Sequence, residues 1–232
     1  MKNLGLYGAG LLVARNINGG GTGGGSGGGG GSGRGVGTVG TTWTRRTWQG
    51  NSLFDVTYGN GLFVAVGEDG AILTSPDGVS WTLRNSGTSR DIYGVAYAKG
   101  LFVAVGEDGA ILTSPDGVDW TARTWETDDS LSSVTHGNGT FVAVGDGGII
   151  LTSPDGVDWT ARTSGTGNDL NGVAYGNELF VAVGERGTIV TSPDGVTWTR
   201  WISGTYRTLS DVAYGNGTFV AVGSFGTILT SP

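Results

Sequence analysis

Ser75-Pro76-Asp77-Gly78-Val79-Ser80-Trp81-Thr82 decides the fold, because it does not stand alone. The same SPDGVxWT pattern returns at Ser114–Thr121, Ser153–Thr160 and Ser192–Thr199, and Ser231-Pro232 opens a further copy. Each copy closes a longer unit, LxxVAYGNGxFVAVGxxGxILTSPDGVxWTxR. Trp43, Trp81, Trp120, Trp159 and Trp198 mark its period, lying 38 and then three times 39 residues apart. A fixed period is read before any local motif because it sets the architecture.

Within a unit, working outward from the motif, the pattern predicts four short strands. The first is the VAY run, as in Val95–Tyr97. The second is FVAVG, which occurs five times from Phe63 to Gly223. A continuous apolar run rich in β-branched residues and bounded by glycine reads as a strand buried on both faces. ILTS or IVTS is the third strand and WTxR the fourth. Gly-Asn-Gly and its variants between the first two strands signal a tight hairpin. Helical periodicity is absent. Four antiparallel strands in about 39 residues, repeated five times, describe the blades of a five-bladed all-β propeller over residues 41–232. The fifth unit lacks its own fourth strand, and a surplus one stands at Thr41–Thr44. The expectation is that this N-terminal strand pairs with Ile228–Ser231 and closes the ring, leaving no edge exposed.

The motif Ser-x-Asp-Gly-x-x-Trp resembles the Asp box of sialidase-like (BNR-repeat) propellers, shortened by one residue between Asp and Gly. The resemblance implies a structural role for Asp77, Asp116, Asp155 and Asp194. The residues suggest the same role. The carboxylate accepts backbone N–H groups across its own turn, Pro fixes φ, and Gly supplies a permissive backbone. Trp43, Trp81, Trp120, Trp159 and Trp198 each give a blade an apolar wedge. Sialidase activity does not carry over. Arg46, Arg84, Arg123 and Arg162 occupy one repeat position, three after each Trp, which suggests packing rather than a converging arginine site. Trp201 takes that position in the next unit.

Composition divides the chain. Residues 1–40 hold 18 of the 48 glycines and no acid, with Lys2, Arg15 and Arg34 as their only charges. The rest carries 10 basic against all 20 acidic groups. A domain at −10 repels phosphate backbones, so nucleic acid is not an expected partner. No cysteine is present, which removes disulfides, thiol catalysis and thiolate metal sites. Residues 1–17 read as an anchor peptide for a partner protein, through Leu4, Leu6, Tyr7, Leu11, Leu12 and Val13. Their apolar run is too short to span a bilayer, which needs about 20 residues. No small-residue cleavage site follows it. Residues 18–40, glycine with serine, read as a linker or stem. Their GxGxxG matches carry nothing, since no strand–turn–helix context surrounds them.

Candidate binding residues lie in the loops from fourth to first strand, where the repeat relaxes: Trp48, Trp125, Trp201 and Tyr206. Aromatic rings on polar loops suit stacking on sugars or protein contacts, or else they pack over blade edges. The turns EDG, EDG, DGG, ERG and SFG place Glu68, Asp69, Glu107, Asp108, Asp146 and Glu185 on one face of the ring. Carboxylates so placed are expected as turn residues rather than as a Ca²⁺ or glycosidase site. His136 replaces the usual Tyr of a first strand and reads as packing. No catalytic set, metal site or cofactor is expected.

The expected function is that of a non-enzymatic virion structural or adhesion protein. In outline the chain resembles bacteriophage fibre, tail or decoration proteins: an N-terminal anchor on other virion proteins through residues 1–40, a glycine-rich stem and a head that meets a host-surface glycan. The alternative is a secreted or cell-surface lectin-like propeller, with a glycoside hydrolase a weaker third. Homo-oligomer formation is compatible with both main readings.

Overall fold

Five antiparallel sheets follow one another along the chain, each a meander in which sequence neighbours pair. The computed structural model describes residues 40, 43–46, 48, 50–123, 125 and 127–231. Blade 1 comprises β1 (Leu53–Gly59), β2 (Leu62–Gly67), β3 (Ile72–Ser75) and β4 (Thr82–Arg84). Blade 2 comprises β5 (Ile92–Ala98), β6 (Leu101–Gly106), β7 (Ile111–Ser114) and β8 (Thr121–Arg123). Blade 3 comprises β9 (Leu131–Gly137), β10 (Thr140–Gly145), β11 (Ile150–Ser153) and β12 (Thr160–Arg162). Blade 4 comprises β13 (Leu170–Gly176), β14 (Leu179–Gly184), β15 (Ile189–Ser192) and β16 (Thr199–Trp201). Blade 5 has three strands, β17 (Leu209–Gly215), β18 (Thr218–Gly223) and β19 (Thr227–Ser231).

Every first strand starts about three residues before the VAY run and carries a bulge, as between Leu53 and Asp55 opposite Gly67 and Val66. The hairpins after the first strands have positive φ at both central residues, as in Asn60 (49°) and Gly61 (76°). That is the type I′ geometry whose twist matches flanking strands. In blade 4 the second position is Glu178, held at φ 59°.

The apolar core sits between blades, not within them. Val64, Val66 and Ile72 of blade 1 pack with Ile92, Val95, Phe102 and Ala104 of blade 2. The same positions repeat between blades 2 and 3, 3 and 4, and 4 and 5. The FVAVG strands are therefore covered on both faces, which is why they lack polar alternation. Inside blades 1, 2 and 4 an aromatic ladder runs from the first strand to the residue before the fourth: Tyr97 stacks on Phe102 at 4.5 Å, and Phe102 faces Trp120 at 6.4 Å.

A glycine sets how closely blades approach. A Cβ at Gly59 would overlap the Tyr97 ring of the next blade, and Gly137 and Gly176 stand in the same relation to Tyr175 and Tyr214. Only the missing side chain leaves room for the ring. Where Ala98 takes the glycine position, His136 takes the tyrosine position. A smaller ring beside a larger neighbour accounts for the exception. The turn glycine of the SPDG motif closes the joint from the other side: Gly117 meets Leu62 and Val64, and Gly156 meets Leu101 and Val103.

Among the described residues no fourth strand joins β17, β18 and β19. Trp43–Arg46 lie outside any strand, Trp43 is 87% exposed, and residues 41 and 42 of the expected closing strand lie outside the described residues. First strands of consecutive blades pack together along the series, but no comparable packing joins β17 to β1. The joint fixes each blade against the next, and four such joints do not bring blade 5 against blade 1. The anchor residues Leu4, Leu6, Tyr7, Leu11, Leu12 and Val13, and the glycine run 18–39, lie outside the described residues.

Glu178→Gly relieves a left-handed conformation that a side chain disfavours, where the other four hairpins have Gly. It should raise stability by about 0.5–1 kcal/mol in denaturant unfolding. Unchanged or lower stability would show that the Glu178 side chain contributes more than its backbone costs.

Candidate functional site

The meander sorts its connections onto two rims. The hairpins and SPDG turns lie on one. The turns between second and third strands lie on the other, with the loops that lead from one blade to the next. Only the second rim carries sequence that differs strongly between blades.

On the first rim the motif acts on itself. Ser75 Oγ donates to Asp77 Oδ1 (3.0 Å) and accepts from Gly78 N (2.8 Å). Asp77 Oδ1 also accepts from the N–H groups of Val79 and Ser80, each at 2.8 Å, and Trp81 Nε1 donates to Gly78 O at 3.3 Å. Asp116, Asp155 and Asp194 repeat the arrangement. Backbone N–H donors hold all four carboxyl groups below the ordinary carboxylate pKa. Trp43 has no such turn and lies exposed.

On the second rim most carboxylates bind backbone. Asp91 Oδ1 accepts from Asp69 N (2.9 Å), and Asp169 Oδ1 from Gly147 N (2.8 Å). Glu68 and Glu107 accept from Ser52 N and Asp91 N. Burial, and then the neighbouring Asp169 and Asp129, push the Asp146 carboxyl upward despite hydrogen bonds from Ser130. Among the described residues no group of three or more His, Cys, Asp or Glu side chains is arranged to hold a metal ion. His136 stacks edge-on against Phe141 at 4.7 Å, and its Nε2 is buried without a partner. Burial, then Lys99, lowers its pKa, so the ring is neutral.

Trp48, Trp125 and Tyr206 fall in three different loops, Trp201 ends β16, and the four do not converge. Trp48, before blade 1, is half-buried and lies across Gly50. Trp201 is 56% exposed, and its Nε1 donates to Thr191 Oγ1 at 2.8 Å. It thereby does what Arg84, Arg123 and Arg162 do in their blades, where Nε donates to Thr74, Thr113 and Thr152. Tyr206, in the following loop, is 93% exposed.

Trp125 stands at the repeat position of Trp48, whose Nε1 is likewise buried without an acceptor. Its position, five after the repeat Trp, is serine in three other loops. There Ser86, Ser164 and Ser203 donate to the carbonyls of Thr88, Thr166 and Thr205. Tryptophan cannot make that turn. The half-buried ring instead separates two open depressions. One, about 440 Å³, is lined by Arg90, Asp108, Thr127 and Asp128 beside Trp125. The other, about 400 Å³, is lined by Trp125 with Ala122, Arg123, Val157, Asp158 and Trp159. Arg90 pairs with Asp108 at 3.6 Å on the floor of the first. The Trp125 Nε1 is buried and has no acceptor. Sequence reasoning found Trp125 but did not join it to Arg90, Asp108 and Asp158, which come from three other segments of the chain. It also passed over Phe225, 85% exposed under the Arg207 guanidinium at 4.2 Å. Phe225 takes the turn position of Asp69, Asp108 and Arg186, a substitution visible once the repeats are aligned.

No family model matches this sequence, and no curated protein matches it. Solved structures do. The chain is similar to YCF48 bound to D1 peptide, at 19% identity and TM-score 0.63, over 78% of this chain and 63% of that one. It is similar to YCF48 from Cyanidioschyzon merolae, at 19% identity and TM-score 0.62, over 82% of this chain and 73% of that one. The computationally designed Ika8 protein aligns at 13% identity and TM-score 0.62, over 77% and 57%. The fold is a β-propeller. The chain spans under two thirds of the length of the first of these structures. Among the described residues no helix is long and apolar enough to cross a membrane.

The two kinds of carboxylate separate with pH. Asp155→Ala should lower stability by about 1 kcal/mol at pH 7, from lost hydrogen bonds. That difference should fade as pH falls below about 4, because a depressed folded pKa stabilises only above the unfolded value. Asp146→Asn should raise stability at pH 7 by at most about 1 kcal/mol. Its gain should fade over the same descent, since protonated Asp146 no longer carries the cost. Melting temperatures of both variants across pH 3–7 check the pair; parallel curves would contradict it.

Proposed function

We propose that the protein is a non-enzymatic adhesion head that seats an extended polypeptide segment against Trp125. Residues 1–40 carry it on the particle or surface it serves. The observation that supports this reading is the half-buried Trp125 ring, which lines two open depressions at once. An extended backbone offers carbonyls at strand spacing and can occupy both depressions at once. Asp128 and Asp158 on the two walls favour a segment carrying Lys or Arg. The YCF48 structure with a D1 peptide is a case of a similar fold holding a peptide.

An array of basic peptides probed with the full chain should give signals that drop about tenfold or more for Trp125→Ala. Binding on a glycan array that falls with Tyr206→Ala and ignores Trp125→Ala would replace the polypeptide with a sugar ligand.

For the anchor, deleting residues 1–17 should abolish incorporation into particles and leave the melting temperature of the blades unchanged. A truncated chain incorporated as well as the full one would overturn that assignment.

A further inference from the structure

The joint between blades occurs four times, and each end of the series carries one half of it without the other. At the leading face of blade 1, Tyr58 is 47% exposed and Leu53 42%, whereas Ile92, Leu131, Leu170 and Leu209 at the Leu53 position are fully buried. At the trailing face of blade 5, Ile228 is 67% exposed, whereas Ile72, Ile111 and Ile150 are buried. Val220 is 36% exposed, against 0% for Val64, Val103 and Val142. Gly215, which corresponds to Gly59, Gly137 and Gly176, would meet nothing within 4 Å if it gained a Cβ. The tyrosine socket is built and has no tyrosine in it.

Both halves are already set in the shape the joint uses. Tyr58 stacks on Phe63 at 4.7 Å, as Tyr97, Tyr175 and Tyr214 stack on their phenylalanines at 4.5–4.7 Å. Phe63 faces Trp81 at 6.4 Å, the same spacing as in blades 2 and 4. The hairpin reach across the joint is also present. Lys99 Nζ donates to Pro154 O at 2.8 Å and Asn138 Nδ2 to Pro193 O at 3.5 Å in the next blade's turn. Asn216 occupies that hairpin position on the trailing face, and Pro76 that turn position on the leading face.

We infer that these faces mate between two copies of the chain, head to tail, with Tyr58 of one copy seated on Gly215 of another. Leu53 then covers Val220 and Ile228, as Ile92 covers Val64 and Ile72 within the chain. The surfaces need no new complementarity, because the joint they form is the one that already holds the blades together. It is a heterologous contact, so each copy keeps one free half, and assembly continues until a ring closes or a filament forms.

Sedimentation velocity of the full chain from about 1 to about 100 μM should show mass rising with concentration. Gly215→Ala puts a Cβ where the partner's tyrosine ring sits. It should weaken association about tenfold or more and leave the monomer's melting temperature unchanged. Tyr58→Ser should do the same from the other face. Mixing the two variants should restore one good joint, giving heterodimers and nothing larger. A wild-type chain that stays monomeric throughout overturns the inference. So does a Gly215→Ala variant that assembles like wild type. A lower melting temperature for monomeric Gly215→Ala also overturns it, since the face would then be covered within one chain.

Discussion

The structure depends on a hydrogen atom where a side chain would be. Gly59, Gly137 and Gly176 let a tyrosine from the next blade lie flat against the first strand, and the distance between blades follows from that contact. Once the distance is set, the valines of FVAVG reach the next sheet and are buried on both faces. A single four-stranded blade has no interior of its own. Its stability is a property of the pair, as in other arrays where each repeat contacts only its neighbours. The substitution of Ala98 with His136 fits the same constraint. The two positions change together because they share one space.

The SPDG turn serves this joint rather than any ligand. Its Asp spends one oxygen on two backbone N–H groups and a serine hydroxyl, and its Trp donates back to the turn carbonyl. A turn so fully satisfied can be packed against a neighbouring blade at little polar cost. Its glycine then touches the neighbour's second strand, as Gly117 does at Leu62. The residues that look most like chemistry in the sequence are the ones least free to do any.

Much of this was legible in the sequence because a repeat states each rule several times. Period, strand order, the hairpins and the two-sided burial of FVAVG all follow from residue pattern. Closure was not legible. Counting strands showed that one was missing from blade 5 and one was spare near Trp43. The angle between blades, however, comes from side-chain packing and is not written in any count. The site was partly legible for a related reason. Trp125 stands out as a departure from the Ser86, Ser164 and Ser203 pattern. Arg90, Asp108 and Asp158 look ordinary in their own units and become neighbours of Trp125 only when adjacent blades are stacked.

The separation of joint and site bears on how a weak site can matter. The joint between copies draws on blades 1 and 5, and the Trp125 depressions are lined by residues of blades 2 and 3 and the loop between them. Copies joined through Tyr58 and Gly215 therefore leave both depressions uncovered in each copy, at fixed spacing. An open, shallow site binds a short segment weakly, because it buries little and pays to order both partners. Repetition at fixed spacing converts later binding events into intramolecular ones and strengthens attachment without any new contact. A rigid joint preserves that gain better than a flexible tether, whose effective concentration falls as its length grows. The contact that stabilises the blades would in this way also set the spacing of the sites they present.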